Sequence, residues 1–351
     1  MCRVIKVWNR YPWRAVAASL VICLLPACPL AAQAQQPIDS VQVWDAQFRQ
    51  QTSQRGTIVS HDRSKLIIQL GTGRQLEIPA NRVAAIESPW NPRHIAADQA
   101  QADGRFEEAL ALYGQALISE QRGWVRHKLV VQQVWCQRAL GRWADAGESF
   151  LKVALGSNPS TPYFQVIPLA WKSPSTDPRL LQSAQAWLND PASDAARLMG
   201  ASWLLMGENR ELAIGVLREL ANGSDRDIAF LAETQQWRLT WIRANPAMVE
   251  SWQQLTLRMP RDLRAGPYHL LGQALARLEQ PQQARLAWMR VPIQYPQYRQ
   301  LASESLLATA RNYAADNSQQ KADTLYRELV SRYGGTIAAQ VAENKLKSSD
   351  P

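Results

Sequence analysis

The sequence predicts a mainly α-helical fold: an α-solenoid of helix-turn-helix repeats preceded by a small antiparallel β module. Three observations carry that prediction. A thirteen-residue pattern appears first as Gly104-Arg105-Phe106-Glu107-Glu108-Ala109 followed by Tyr113 and Ala116, and again as Gly141-Arg142-Trp143-Ala144-Asp145-Ala146 followed by Phe150 and Val153. The last three positions of each copy share one helical face, and the offset, 141 − 104 = 37 residues, is a period of helix-pair repeats. Helix breakers punctuate the rest of the chain every 15–20 residues, which suits helices joined by short loops. Ahead of the repeats, residues 55–89 alternate apolar and polar positions over short runs, the period of strands.

Residues 1–34 read as an export signal. Arg3, Lys6, Arg10 and Arg14 form a basic region, Ala15 to Leu25 an apolar run, and Ala32-Gln33-Ala34 a small-x-small cleavage site. The eleven residues of that run span only about 16 Å as a helix, short of the ~30 Å hydrocarbon core, and Pro26 and Pro29 block a longer one. Leu25-Pro26-Ala27-Cys28 resembles a bacterial lipobox, whose cysteine would carry a lipid anchor. Proline before the final alanine is atypical there, so cleavage after Ala34 is favoured over lipidation at Cys28. The expected mature protein is soluble and exported, periplasmic or envelope-associated.

The chain has 39 basic and 30 acidic residues, a balance of +9. Without residues 1–34 the balance is 35 to 30, or +5, with the basic residues scattered rather than blocked. That pattern argues against a nucleic-acid partner. Cleavage after Ala34 leaves Cys136 as the single cysteine, beside Trp135 in an apolar helical run. It reads as a small buried hydrophobe, and stability must come from packing rather than a disulfide.

Residues 35–54, rich in Gln and Ser, are expected to form a flexible or weakly ordered lead-in. In the β module, Thr57-Ile58-Val59, Lys65 to Leu70, Gln75 to Ile78 and Val83 to Ile86 predict three or four short antiparallel strands, with turns at His61-Asp62-Arg63-Ser64 and Gly71-Thr72-Gly73. So short a stretch cannot close its own core, so it is expected to pack on the first helices or on a partner. Pro89-Trp90-Asn91-Pro92 opens the helical region at 90–335, with turns at Gly123, Asn158-Pro159, Asp177-Pro178, Asp190-Pro191, Gly207, Asn222-Gly223, Asn245-Pro246, Gly266-Pro267, Pro281 and Gly334-Gly335. Pro162, Pro168, Pro174 and Pro178 predict an irregular insertion near 160–190, and a C-terminal helix and tail are expected at 336–351.

The repeats resemble tetratricopeptide repeats. Leu271-Gly272 precedes Ala284, Trp288, Val291 and a closing Tyr295-Pro296 at the spacings of that motif. Ala310 and Tyr313 precede Ala322, Tyr326 and Leu329 and end in Tyr333-Gly334, where glycine replaces the usual proline. Ala201, Leu204, Gly207, Ala213, Leu217 and Leu220 form a degenerate copy, and another runs from Ile228 to Pro260 with Met248, Trp252 and Leu255 in the packing positions. Repeats of slightly more than the usual length that end in Tyr-Pro are similar to those of tetratricopeptide proteins of the bacterial envelope, some of which carry a small barrel-like module ahead of the repeats. The resemblance implies a non-enzymatic scaffold that holds a partner protein of the cell envelope in a concave groove. It also implies that the first helix of each pair lines the groove. Transferring that register places Lys128, Trp135, Arg138, Trp237, Trp241, His269, Arg277 and Arg311 there, an aromatic surface with basic neighbours that suits acidic or extended peptides.

Catalytic constellations are not apparent. His61, His94, His127 and His269 are isolated, with no His-Glu-x-x-His or Cys-x-x-Cys spacing for a metal, and no cofactor is expected. Ser149-Phe150-Leu151-Lys152 matches Ser-x-x-Lys, but Lys-Thr-Gly is absent and Phe150 already holds a repeat position. Gly71-Thr72-Gly73 lacks the third glycine of a dinucleotide site. The rival expectations are a self-assembling envelope subunit joined through edge strands of the β module and, with less support, a cell-wall glycan enzyme on a helical scaffold.

Overall fold

The computed structural model describes residues 38–62, 64–156, 163–172 and 175–349. The expected export signal, the cleavage site after Ala34 and Cys28 lie outside the described residues, as does the Asn158-Pro159 turn. Fourteen helices follow a five-stranded antiparallel sheet among the described residues, and no helix is long and apolar enough to cross a membrane.

The strands are β1 (Asp39–Trp44), β2 (Gln51–His61), β3 (Lys65–Leu70), β4 (Gln75–Pro79) and β5 (Val83–Glu87), in the order β4-β3-β2-β1-β5. From Asp39 to Trp44 the expected lead-in is instead a strand: β1 lies between β2 and β5, inside what composition alone marked as flexible or weakly ordered. The reason is Val41 and Val43, which alternate onto the buried face and join Ile58, Leu66, Ile68 and Ile78. Asp39 anchors the strand. Its fully buried carboxylate accepts from the Ile58 amide at 2.8 Å and from the Ser88 hydroxyl, with Arg122 3.7 Å away. The sheet closes its core on the first helices. Its apolar face shares one cluster with Ala97, Ala109, Tyr113, Trp124 and Leu129.

The helices are α1 (Pro92–Ala102), α2 (Phe106–Ser119), α3 (Gly123–Ala139), α4 (Trp143–Gly156), α5 (Pro178–Leu188), α6 (Asp194–Leu204), α7 (Arg210–Ala221), α8 (Arg226–Thr240), α9 (Pro246–Arg258), α10 (Ala265–Arg277), α11 (Pro281–Gln294), α12 (Arg299–Ala315), α13 (Gln319–Tyr333) and α14 (Ile337–Ser349). Helix starts follow capping chemistry. Asn91, Asp177 and Asn245 accept from first-turn amides ahead of a proline at the first helical position. Gly266-Pro267, expected as a turn, lies instead in the first turn of α10, where a missing N–H costs nothing. The insertion contains a regular helix, α5, because Pro178 starts one rather than breaking one.

The repeat glycines are explained by backbone geometry. Gly104 and Gly141 end α1 and α3 with φ of 77° and 74°, and the next amide reaches back to the carbonyl of Ala100 or Gln137. Glu279 and Asn317 hold the same place after α10 and α12, at φ 57° and 52°, with the same closing bonds to Leu275 and Tyr313. Alternate helices also touch: α6 packs on α8, α8 on α10, α10 on α12 and α12 on α14. That second set of contacts makes the pairs one stacked array with a continuous core from Val131 to Ala342.

Candidate functional site

The array curves far enough that the start of α12 meets the end of α3. Trp135 and Tyr298 lie edge to face with centroids 5.0 Å apart, and the Gln300 side-chain amide donates to the Arg138 carbonyl at 3.4 Å. Between these helices runs a stretch of the chain itself. Phe164–Val166 form a single 3-10 turn, and Ile167 to Trp171 continue without helix or strand, as Pro168 favours. Phe164, Val166, Ile167, Leu169, Ala170 and Trp171 are all buried.

Side chains of the surrounding helices hold this stretch by its carbonyls. Tyr298 donates to Gln165 at 2.5 Å, Arg138 to Val166 at 3.0 Å, the Trp203 indole to Pro168 at 2.8 Å and Arg238 to Lys172 at 2.9 Å. Ser202 accepts from the Ala170 amide at 2.9 Å. Helices α3, α6 and α8 and the residue that caps α12 thus hold an irregular stretch of polypeptide by its backbone. Burial pushes the pKa of both Arg138 and Arg238 down to about 10, which leaves both charged at neutral pH.

Two cavities open on either side of Trp171 and Lys172. The smaller, about 190 Å³, is walled by Arg138, Trp143, Trp203 and Tyr298 among others. The larger, about 510 Å³, is lined by Met206, Trp241, His269, Gln273, Glu304 and Arg311 among others. In the larger one Lys172 pairs with Glu304 at 2.5 Å, while Arg311 is exposed and makes no hydrogen bond or ion pair among the described residues.

Of the residues expected in one groove, Trp241, His269 and Arg311 come together in the larger cavity and Arg138 lines the smaller. The others are placed elsewhere. Trp135 and Trp237 are buried, Trp135 against Tyr298 and Trp237 stacked on Trp252 with centroids 4.6 Å apart. Trp237 faces the next helix, a direction that the period of the helix alone does not separate from the groove, whereas Trp135 is covered by Tyr298 from across the array. Lys128 sits 4.1 Å over the Trp90 ring at the junction of sheet and helices, and Arg277 is exposed without lining either cavity. Residues that the register missed are Trp171, Lys172 and Glu304: the first two lie on the insertion, which no repeat pattern covers.

His269 is 5% exposed, with Nδ1 2.8 Å from the Ser305 hydroxyl. Burial pushes its pKa down to about 4, against the pull of Glu304 and with the push of Lys172. It is therefore neutral in the folded protein near pH 7 and adds no charge to the cavity. Between about pH 6.5 and 4 the unfolded chain binds a proton that the folded chain refuses, so stability falls as pH is lowered through that window, by up to about 3 kcal/mol. His269→Asn should flatten the pH profile of unfolding between those limits, and parallel profiles for the two proteins would refute this account.

The remaining motifs are structural. The Cys136 thiol is fully buried and burial pushes it up to about 12. The Ser149 hydroxyl accepts from the Gln137 side-chain amide at 3.1 Å and Lys152 faces solvent. No protein-family model matches the chain, and no curated protein matches it at a significant level.

Proposed function

We propose that the protein is a non-enzymatic scaffold of tetratricopeptide type, exported to the periplasm or cell envelope, that holds an extended acidic segment of a partner protein on the inner face of its helical array. The observation that carries this reading is the chain's own stretch from Gln165 to Lys172. Its carbonyls, two in the 3-10 turn and two beyond it, accept from Tyr298, Arg138, Trp203 and Arg238, so the inner face already holds non-helical polypeptide by its backbone. That stretch leads into the larger cavity, where room remains. The charge there favours an acid: Lys172, Arg238 and Arg311 face a single carboxylate, Glu304, and His269 is neutral. Trp241, half-buried at the same wall, offers an aromatic anchor.

The stretch itself is not the partner's competitor. Removing it would expose Phe164, Val166, Ile167, Leu169 and Trp171, each on the order of 1.5–3 kcal/mol of burial, and would take from the buried Arg138 guanidinium its carbonyl partner and from Arg238 one of its two. The open site is therefore the cavity beyond Lys172, not the position of Trp135.

A random peptide display library panned on the protein should enrich extended sequences of net negative charge. Arg311→Glu should weaken the selected peptides about tenfold, more at low salt than at high. A selected set without acidic bias, or one that binds Arg311→Glu and Trp241→Ala as well as the native protein, would sink the reading.

A further inference from the structure

The smaller cavity has a chemistry that the peptide reading does not use. Its walls are indole and phenol rings from Trp143, Trp171, Trp203 and Tyr298, and its charged members are Arg138, Lys172 and Arg299, with no carboxylate among the lining residues. Lys172 is already engaged by Glu304. Arg299 donates to the carbonyls of Arg332 and Gly334 at the end of α13, at 2.8 and 2.6 Å. Arg138 is the unusual group. It is 6% exposed, lies 4.5 Å from the Trp135 ring and 4.6 Å from the Tyr298 ring, and donates to one carbonyl. No carboxylate lies within ion-pair distance of it among the described residues.

Ring faces and a carbonyl offset part of the cost of burying a guanidinium but leave its charge uncompensated. A buried cation at the wall of an apolar cavity is complementary to an anion that is itself largely apolar. The planar fork of arginine matches a carboxylate with two parallel hydrogen bonds. A volume of about 190 Å³ admits on the order of ten non-hydrogen atoms, and flat rings along the wall suit a flat body.

We propose that the cavity between α3, α4, α6 and α12 binds a small free aromatic carboxylate, its carboxylate toward Arg138 and its ring against Trp143 and Trp203. The site stands apart from the peptide site across Trp171. It makes the protein a receptor for a small organic acid, whose binding would tie α3 to α12 across the inner stretch.

The test is calorimetric titration of the full mature chain with 2-naphthoate, with 2-naphthylmethanol as a neutral isostere. One saturable site is expected for the acid, with the alcohol at least tenfold weaker. Ala139 is half-buried at the cavity wall, so Ala139→Phe should fill the space and abolish binding while leaving the melting temperature nearly unchanged. Arg138→Met should lose at least tenfold, provided its circular dichroism stays native. Arg311→Glu, which touches only the larger cavity, should bind 2-naphthoate normally even if it fails with peptides. Absence of saturation up to millimolar acid, equal binding of the alcohol, or full binding by Ala139→Phe would overturn the proposal. So would binding only of a peptide ending in tryptophan with a free carboxylate, which would assign the cavity to a chain terminus instead.

Discussion

Truncating Trp171 to alanine should cost about 3–5 kcal/mol, among the largest effects of any single side chain in the array. The indole is 8% exposed and lies flat over Gly266, where a Cβ would come within 2.1 Å of the ring. It therefore plugs the gap where the inner stretch meets the first turn of α10, and it separates the two cavities. Alanine leaves a hole bounded by backbone on the α10 side, which cannot collapse to fill it. Trp171→Phe should recover part of the loss. Repeat arrays need not unfold as one unit, so hydrogen exchange in α3 and α10 is a better readout than a single midpoint. Both helices should lose protection, because the stretch bridges them. A cost under about 1 kcal/mol, with α3 unaffected, would mean that the stretch is a loose plug, and the groove would then extend back to Arg138.

Much of the array could be read from the sequence because its signals are local. A glycine with positive φ after α1 and after α3 shows itself as Gly104 and Gly141, and the aromatic and small residues that follow mark the packing face. The same backbone turn after α10 and α12 uses Glu279 and Asn317, which are residues of no special note in a sequence. β1 was hidden for a different reason. Two valines among Gln and Ser are too few to outweigh composition, and the buried Asp39 that fixes the strand looks like an ordinary surface acid. The site was legible only in part. His269, Trp241 and Arg311 follow from helix register, whereas Trp171 and Lys172 reach the inner face through an irregular stretch. Its path depends on hydrogen bonds to residues 28 to 133 positions away. Register also cannot tell a ring that lines a groove from one that packs on the next helix, as Trp237 does on Trp252, nor show that Trp135 is covered by Tyr298 from across the array.

Gly200→Ala and Gly215→Ala should change stability in opposite directions, although both put alanine for glycine inside a helix. Alanine gains roughly 1 kcal/mol over glycine in a helix interior. At Gly215 on α7 an added Cβ meets nothing within 4 Å, so that gain should appear nearly whole. At Gly200 on α6 the Cβ would stand 2.4 Å from the Leu188 amide nitrogen and 2.5 Å from the Ala184 carbonyl oxygen. Those are backbone atoms of α5 and cannot swing aside, so the two helices must separate. Overpacking of that kind costs 1–3 kcal/mol or more, and a contact this short belongs at the upper end, giving a net loss of about 2 kcal/mol. The separation would reach the site as well. Ser202 and Trp203 follow two and three residues later on α6, and they hold Ala170 and Pro168 of the inner stretch. Gly200→Ala should therefore weaken both ligand sites as well as the fold, while Gly215→Ala leaves them alone. Chemical denaturation of the pair decides the matter. If both variants gain stability, the close approach of α5 and α6 is not what requires glycine there.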